Sequence, residues 1–147
     1  MSQHGKKIHK LGRTASHRQA MLANMASSLF LHRMVKTTQS KAKALRPVAE
    51  RLITFAKKGD LAAQREIYRT VGDREIVKKL VREIAPQFAN RNGGYTRIFK
   101  LGKRRLGDGA ELAAVELLIE KPKIEKKKDK KEAKKEAKQQ KAAEQKA

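Results

Sequence analysis

The sequence contains no cysteine and no tryptophan. The lack of cysteine excludes disulfides and thiolate metal sites, and it is compatible with a reducing compartment. No apolar run approaches the roughly 18 residues that a membrane span requires. The charged N-terminal residues are not followed by an apolar segment, so we expect no secretory signal. The 147 residues are therefore expected to form one domain with a modest core.

Acidic residues are also scarce. The chain has 37 Lys or Arg against 15 Asp or Glu, a formal net charge of +22, and its first acid is Glu50. Self-repulsion on this scale opposes compaction unless a polyanion is bound, and basic side chains release counterions when they contact phosphates. Nucleic acid is the expected partner. An anionic membrane surface is disfavoured, because the sequence has no long amphipathic basic helix with bulky aromatics.

Composition divides the chain into three segments. Residues 1–15 have little apolar content and predict an extended basic arm that lies on the partner, the alternative being a disordered terminus. Residues 16–120 have the apolar periodicity of a globular domain. Residues 121–147 are rich in Lys, Ala and Glu but carry no apolar stripe, so we expect a disordered tail or a transient helix.

Helical spacing dominates the first part of the domain. Ser16 is a candidate cap for a first helix, and Arg33–Thr38 is short and β-branched, which predicts a strand. Ser40 is a candidate cap for the next helix, in which Pro47 costs roughly 3 kcal/mol unless the helix kinks. The dipeptide Gly-Asp occurs twice, and each copy is predicted to end one helix and begin the next. The resulting helices run from about Leu61 to Val71 and from the second copy to Pro86.

After Pro86 the apolar period changes to two. Tyr95–Leu101, entered through Gly93 and Gly94, and Leu112–Ile119 are predicted strands, joined by a hairpin loop that is longer than a tight turn. The expected order is α-β-α-α-α-β-β. The predicted fold is an α+β domain of about four helices with a small three-stranded mixed sheet that is covered on one face.

Catalysis has little support in the sequence. The four histidines lack a tight metal-ligand spacing, and neither a phosphate-binding loop nor a nucleophile elbow is present. Asp108 lies between two glycines, where turn chemistry is expected. A metal-dependent nuclease would need several convergent carboxylates. We therefore predict no catalytic residue, no metal site and no cofactor.

The stretch "ANRNGGYTRIFKLGKRR" (Ala89–Arg105) holds six Lys or Arg and no acid. Its Lys103–Arg105 triplet is expected to form the tip of a hairpin that grips phosphates, with Arg97 and Lys100 on opposite faces of the strand. Six Phe and Tyr in total are too few for a broad base-stacking surface. Tyr95 either stacks on a base or lies in the core, and we favour partial burial. Charge without a base-reading motif favours phosphate and shape contacts to a folded RNA. Ten basic residues are candidate RNA contacts on this ground: Lys6, Lys7, Lys10, Arg13, Arg33, Arg91, Lys100, Lys103, Arg104 and Arg105.

Two long stretches resemble a known family. Leu11–Asp60, with "SHRQAM" and "KTT…KAKALR", and Ala85–Leu118, with "GGYTRI", are similar to the bacterial large-subunit ribosomal protein seventeen family. The resemblance covers nearly all of residues 4–120. Family members often begin Met-Arg-His, whereas this chain begins "MSQHGKK", and the Lys-rich tail lies beyond the family core.

The resemblance implies a non-enzymatic structural component of the large subunit of the bacterial ribosome, in the cytoplasm. It would bind the long ribosomal RNA beside neighbouring large-subunit proteins, without a membrane and without forming homo-oligomers. Matched motifs imply RNA contacts from Ser16, His17, Arg18, Lys36, Lys41, Lys43, Tyr95 and Arg97. From the residues alone, a DNA-compacting protein remains the alternative, since a basic arm and a Lys-rich tail suit either nucleic acid.

Overall fold

The computed structural model describes residues 10–119. The helices are α1 (Ala15–His32), α2 (Gln39–Lys58), α3 (Leu61–Val71) and α4 (Arg74–Lys79), and the strands are β1 (Met34–Thr38), β2 (Thr96–Arg104) and β3 (Glu111–Leu117). The predicted α+β class and element order are confirmed. Lys6, Lys7, most of the predicted arm and the predicted tail lie outside the described residues.

The long helices begin one residue before the predicted caps. Thr14 and Thr38 occupy the cap positions of α1 and α2, and neither side chain makes a capping hydrogen bond. Ser16 and Ser40 lie inside the first turns, so their prediction as caps is wrong. The reason at α2 is that Thr38, the last residue of β1, already has the extended backbone that a cap position requires.

The prediction that glycines end two of the helices is confirmed for α2 and α3. Gly59 and Gly72 have φ of 74° and 75°, a left-handed conformation that glycine adopts without a steric penalty. Asp73 then caps α4, because its side chain accepts a hydrogen bond of 2.8 Å from the Glu75 backbone N–H.

Of the two prolines within helical sequence, Pro47 lies inside a helix as expected, whereas Pro86 does not end its helix. α2 continues through Pro47 to Lys58. After α4, a wide π-helical turn (Leu80–Ile84) and a tight 3-10 turn (Ala85–Phe88) follow, so helical turns extend beyond Pro86. Pro86 is the second residue of the last turn, which directly continues the π-helical turn.

The sheet has the strand order β1-β3-β2 and is antiparallel throughout, so the predicted mixed sheet is wrong. A short hairpin joins β2 to β3 and forces them to run antiparallel, and β1 pairs antiparallel along the other edge of β3. β2 extends three residues further along the hairpin than predicted, and β3 ends at Leu117.

The helices cover one face of the sheet, and α2 contacts all three strands. Val35, Ile98 and Val115 form one cross-strand row on the covered face and pack with the core. The core is filled by large side chains that include Phe30, Phe88 and Leu45. Across residues 10–119, the helices include none that combines the length and apolar character needed to cross a membrane.

Candidate nucleic-acid interface

Basic residues are concentrated in two parts of the described chain. Residues 10–58 hold eleven Lys or Arg and one acid, and residues 89–119 hold six Lys or Arg and three acids. In contrast, residues 59–88, which form α3, α4 and the turns after them, hold six Lys or Arg and five acids. The described chain therefore has strongly basic segments and one nearly neutral segment, whose exposed residues are called the nearly neutral surface.

The chain before α1 is held in place by its own arginines. Arg18 Nη1 donates to the carbonyl oxygens of Lys10 at 3.4 Å and Arg13 at 3.2 Å, and Arg13 Nη1 donates to that of Leu11 at 3.0 Å. Arg18, predicted as an RNA contact, is thus occupied with positioning the arm. Arg13 Nε is buried and has no hydrogen-bond partner within the described residues.

Three distant segments meet at the start of α2. An open cleft of about 510 Å³ is lined by Leu11 and Arg13, by residues 38–41 and by the hairpin residues Arg105, Asp108, Ala110 and Glu111. The first turn of α2 carries no acid, so the positive end of the helix dipole is not offset by a carboxylate of that turn. Lys41 contributes to this cleft, whereas Lys43 is exposed and is not among the lining residues.

The open face of the sheet carries a second group of predicted contacts. Cross-strand pairing places Met34, Glu116 and Arg97 in one row and Lys36, Ala114 and Phe99 in the next. The Arg97 guanidinium carbon lies 5.6 Å from the centroid of the Phe99 ring. Lys100 pairs with Ala113 in the alternate, core-facing register, which confirms that Arg97 and Lys100 are on opposite faces.

The hairpin tip is stabilised by Asp108. This carboxylate accepts a 2.9 Å hydrogen bond from Arg105 Nε, a second bond from Arg105 Nη2, and a 3.2 Å bond from the Ala110 backbone N–H. The hydrogen bonds from Arg105, and then that from Ala110, hold the pKa of Asp108 well below its ordinary value. The same pairing raises the pKa of Arg105.

This geometry confirms that Asp108 stabilises a turn. It also shows that the three residues of the predicted Lys103–Arg105 triplet are not equivalent. Lys103 and Arg104 are exposed and, in the part of the chain that the structure describes, form no ion pair. Arg105 is already neutralised by Asp108. Two of the three charges are therefore available to a phosphate without breaking an existing contact.

Tyr95 requires a correction. Its side chain is only 2% exposed and its ring centroid lies 5.1 Å from that of Phe88, so the ring belongs to the core and is closed to base stacking. Lys57 Nζ donates to the Tyr95 hydroxyl at 3.4 Å and also to the Arg91 carbonyl oxygen. The residue packs more deeply than expected because α2 brings Lys57 against the loop before β2.

That contact also identifies a positioning residue that sequence reasoning missed. Lys57 fixes the loop that presents Arg91, whose Nη1 donates to the Gly94 carbonyl oxygen at 3.4 Å. No spacing rule signals this role, since Lys57 and Arg91 are 34 residues apart in the chain.

The predicted contacts are not all brought together. His17 lines a separate groove of about 370 Å³ along α1 with Met21 and Met25, and Ser16 is exposed nearby. Arg33 joins α1 to β1 with a left-handed backbone at φ 64°. Within residues 10–119, no three His, Asp or Glu side chains form a group suited to a metal ion.

Comparison with known proteins identifies the family. The family model for ribosomal protein L17 matches residues 21–118. The chain is also 52% identical over 113 residues to the large ribosomal subunit protein bL17 of Methylacidiphilum infernorum, a match that covers 77% of this chain and 86% of that protein. The chain belongs to the ribosomal protein L17 family. The resemblance seen in the sequence is thereby confirmed, and the family match extends from the second turn of α1 to just beyond β3.

Proposed function

We propose that this protein is a structural constituent of the large subunit of the bacterial ribosome and that it binds folded ribosomal RNA through phosphate and shape contacts. The observation that carries the proposal is the division of charge on its surface. Residues 10–58 have an excess of 11 − 1 = +10, whereas residues 59–88 have an excess of 6 − 5 = +1. A partner that binds through its phosphates would select the first surface.

The contacts proposed for RNA come from separate elements. Arg13, Lys41 and the hairpin tip surround the start of α2, while Lys36 and Arg97 lie on the open sheet face. A protein that presents basic groups in several directions suits the irregular surface of a folded RNA better than the regular groove of a DNA duplex. No catalytic role is proposed, because Asp108 is already occupied by Arg105.

The nearly neutral surface is proposed to face neighbouring ribosomal proteins. It exposes Leu61 by 64% and Tyr68 by 43%, on one face of α3. Aromatic side chains such as that of Tyr68 are enriched in protein interfaces. The protein is proposed to join the large subunit as a single copy, without forming homo-oligomers.

The proposal is tested by titrating the protein with the long RNA of the large subunit at several salt concentrations. Replacing Lys103, Arg104 and Arg105 with Ala should reduce the log–log salt slope by about 1.4 to 1.8, which is two phosphate contacts at about 0.7 to 0.9 each. The matched control replaces Arg65, Arg69 and Lys78 with Ala, the same change in charge on the nearly neutral surface, and should leave the slope nearly unchanged.

Two results would contradict the proposal. Equal slopes for the two triple variants would show that only net charge matters. Stronger binding of the protein to duplex DNA than to the ribosomal RNA at the same salt concentration would support the DNA-compacting alternative. In cell extracts, the protein should co-sediment with large subunits and dissociate only in high salt.

A further inference from the structure

The open face of the sheet carries an exposed aromatic ring that phosphate binding does not use. Phe99 is 39% exposed and does not belong to the hydrophobic core. Its neighbour across the strand is Ala114, and the residue beyond that is Lys36. Ala114 has a small side chain and is itself only 3% exposed, so this part of the face is covered while Phe99 remains partly exposed.

The charges around the ring indicate what it contacts. The Arg97 guanidinium lies near the ring, with its central carbon 5.6 Å from the centroid, and Lys36 lies across the row. A cationic rim around a flat apolar ring suits a nucleobase whose phosphate lies toward Lys36.

We propose that Phe99 stacks on an unpaired base of ribosomal RNA, with Arg97 as a second stacking group and Lys36 as the contact to the adjoining phosphate. The inference rests on the RNA-binding function proposed above and deepens it, since phosphate contacts alone cannot distinguish a splayed base from a helix. Sequence-specific RNA recognition commonly uses such unstacked bases.

The absence of tryptophan from the chain provides a direct test. Phe99→Trp introduces the single indole of the protein on this face, and stacking on a base should quench its fluorescence during titration with the long ribosomal RNA of the large subunit. Tyr68→Trp is the matched control, because Tyr68 is 43% exposed and has the Arg74 guanidinium carbon 5.9 Å from its ring, but lies on α3. Its fluorescence should stay unchanged.

Affinity measurements separate stacking from charge. Phe99→Ala should weaken RNA binding about 5- to 150-fold, the range expected for one lost base–aromatic stack, without changing the salt slope. Lys36→Ala should reduce that slope by about 0.7 to 0.9. Phe99→Leu keeps an apolar side chain and should also bind weakly, and thermal melts of the three variants should match that of the parent protein.

The possible failures are distinguishable. If Phe99→Ala binds the RNA as tightly as the parent protein, the stacking proposal is wrong while the proposed function stands. If Phe99→Ala binds RNA normally but is lost from large subunits, the face contacts a protein and not a base. If the parent protein itself does not bind the RNA, the proposed function fails first.

Discussion

The hydroxyl of Tyr95 connects three elements at one end of the core. It donates to the Arg91 carbonyl oxygen at 3.3 Å and accepts from Lys57 Nζ at 3.4 Å, while the ring packs on Phe88. The Lys57 ammonium also lies 5.4 Å from the ring centroid. A polar tip on a buried aromatic ring needs such partners, because an unpaired buried hydroxyl costs free energy.

Tyr95→Phe should therefore lower the free energy of unfolding by about 0.5 to 1.5 kcal/mol, the usual net contribution of a hydrogen bond. The ring packing is retained, and RNA binding should keep its salt slope because no charge is lost. Urea unfolding monitored by circular dichroism measures the change, with Tyr68→Phe as an exposed control that should have no effect. A large loss of RNA affinity with unchanged stability would restore Tyr95 as a direct RNA contact.

Asp108 sets how much charge the hairpin tip presents. Because it accepts two hydrogen bonds from Arg105, Asp108→Asn should release this arginine and steepen the log–log salt slope of RNA binding by up to about 0.7 to 0.9. Glu66→Gln makes the same change in charge on α3, away from the hairpin, and is the control. The same slope change in both variants would contradict the pairing argument.

An RNA-cleaving activity that disappears in Asp108→Asn would overturn the non-catalytic assignment.

At the scale of elements, the segment between Phe88 and β2 determines where β2 begins. Gly94 has a left-handed backbone with φ of 65°, whereas Gly93 does not. Neither glycine has an atom of another segment within 4 Å of an added Cβ. The two positions therefore differ in backbone conformation and not in space.

Gly94→Ala should reduce the free energy of unfolding by about 1 to 2 kcal/mol, the cost of a left-handed backbone for a residue with a Cβ. Gly93→Ala should be neutral or stabilise the fold by about 0.4 to 1 kcal/mol, because it reduces the freedom of the unfolded chain. Urea unfolding of the two variants at one pH provides the measurement. Equal losses in both would show that the turn constrains the two glycines alike.

At the scale of the whole molecule, the Lys-rich residues 121–147 are proposed to act through diffuse charge. Their twelve Lys and five acids give an excess of 12 − 5 = +7, and without an apolar stripe they have little to offset the entropy of ordering. Deleting them should leave the melting temperature and incorporation into large subunits unchanged while weakening RNA binding modestly at low salt. A Gly/Ser segment of equal length serves as the control, and loss of incorporation in both variants would show that the tail makes specific contacts.

Much of the architecture follows from local rules. Apolar spacing predicted all four helices, and the change from a helical period to alternation after Pro86 predicted β2 and β3. Glycines fixed where α2 and α3 end, because a left-handed residue cannot continue a helix. The ratio of basic to acidic residues indicated a polyanionic partner, because composition sets the net charge and therefore the electrostatic repulsion that a partner must offset.

The tertiary structure decided what depends on contacts between distant residues. Strand order and the antiparallel pairing of β1 depend on how α1 and α2 pack against the sheet, which no local pattern encodes. The same packing buries Tyr95 beneath Lys57 and leaves Phe99 exposed, although both are aromatics of one short basic stretch. The sequence determined which residue types are present, but only the packing of α2 decided that Tyr95 faces the core, and only the strand register decided that Phe99 faces outward.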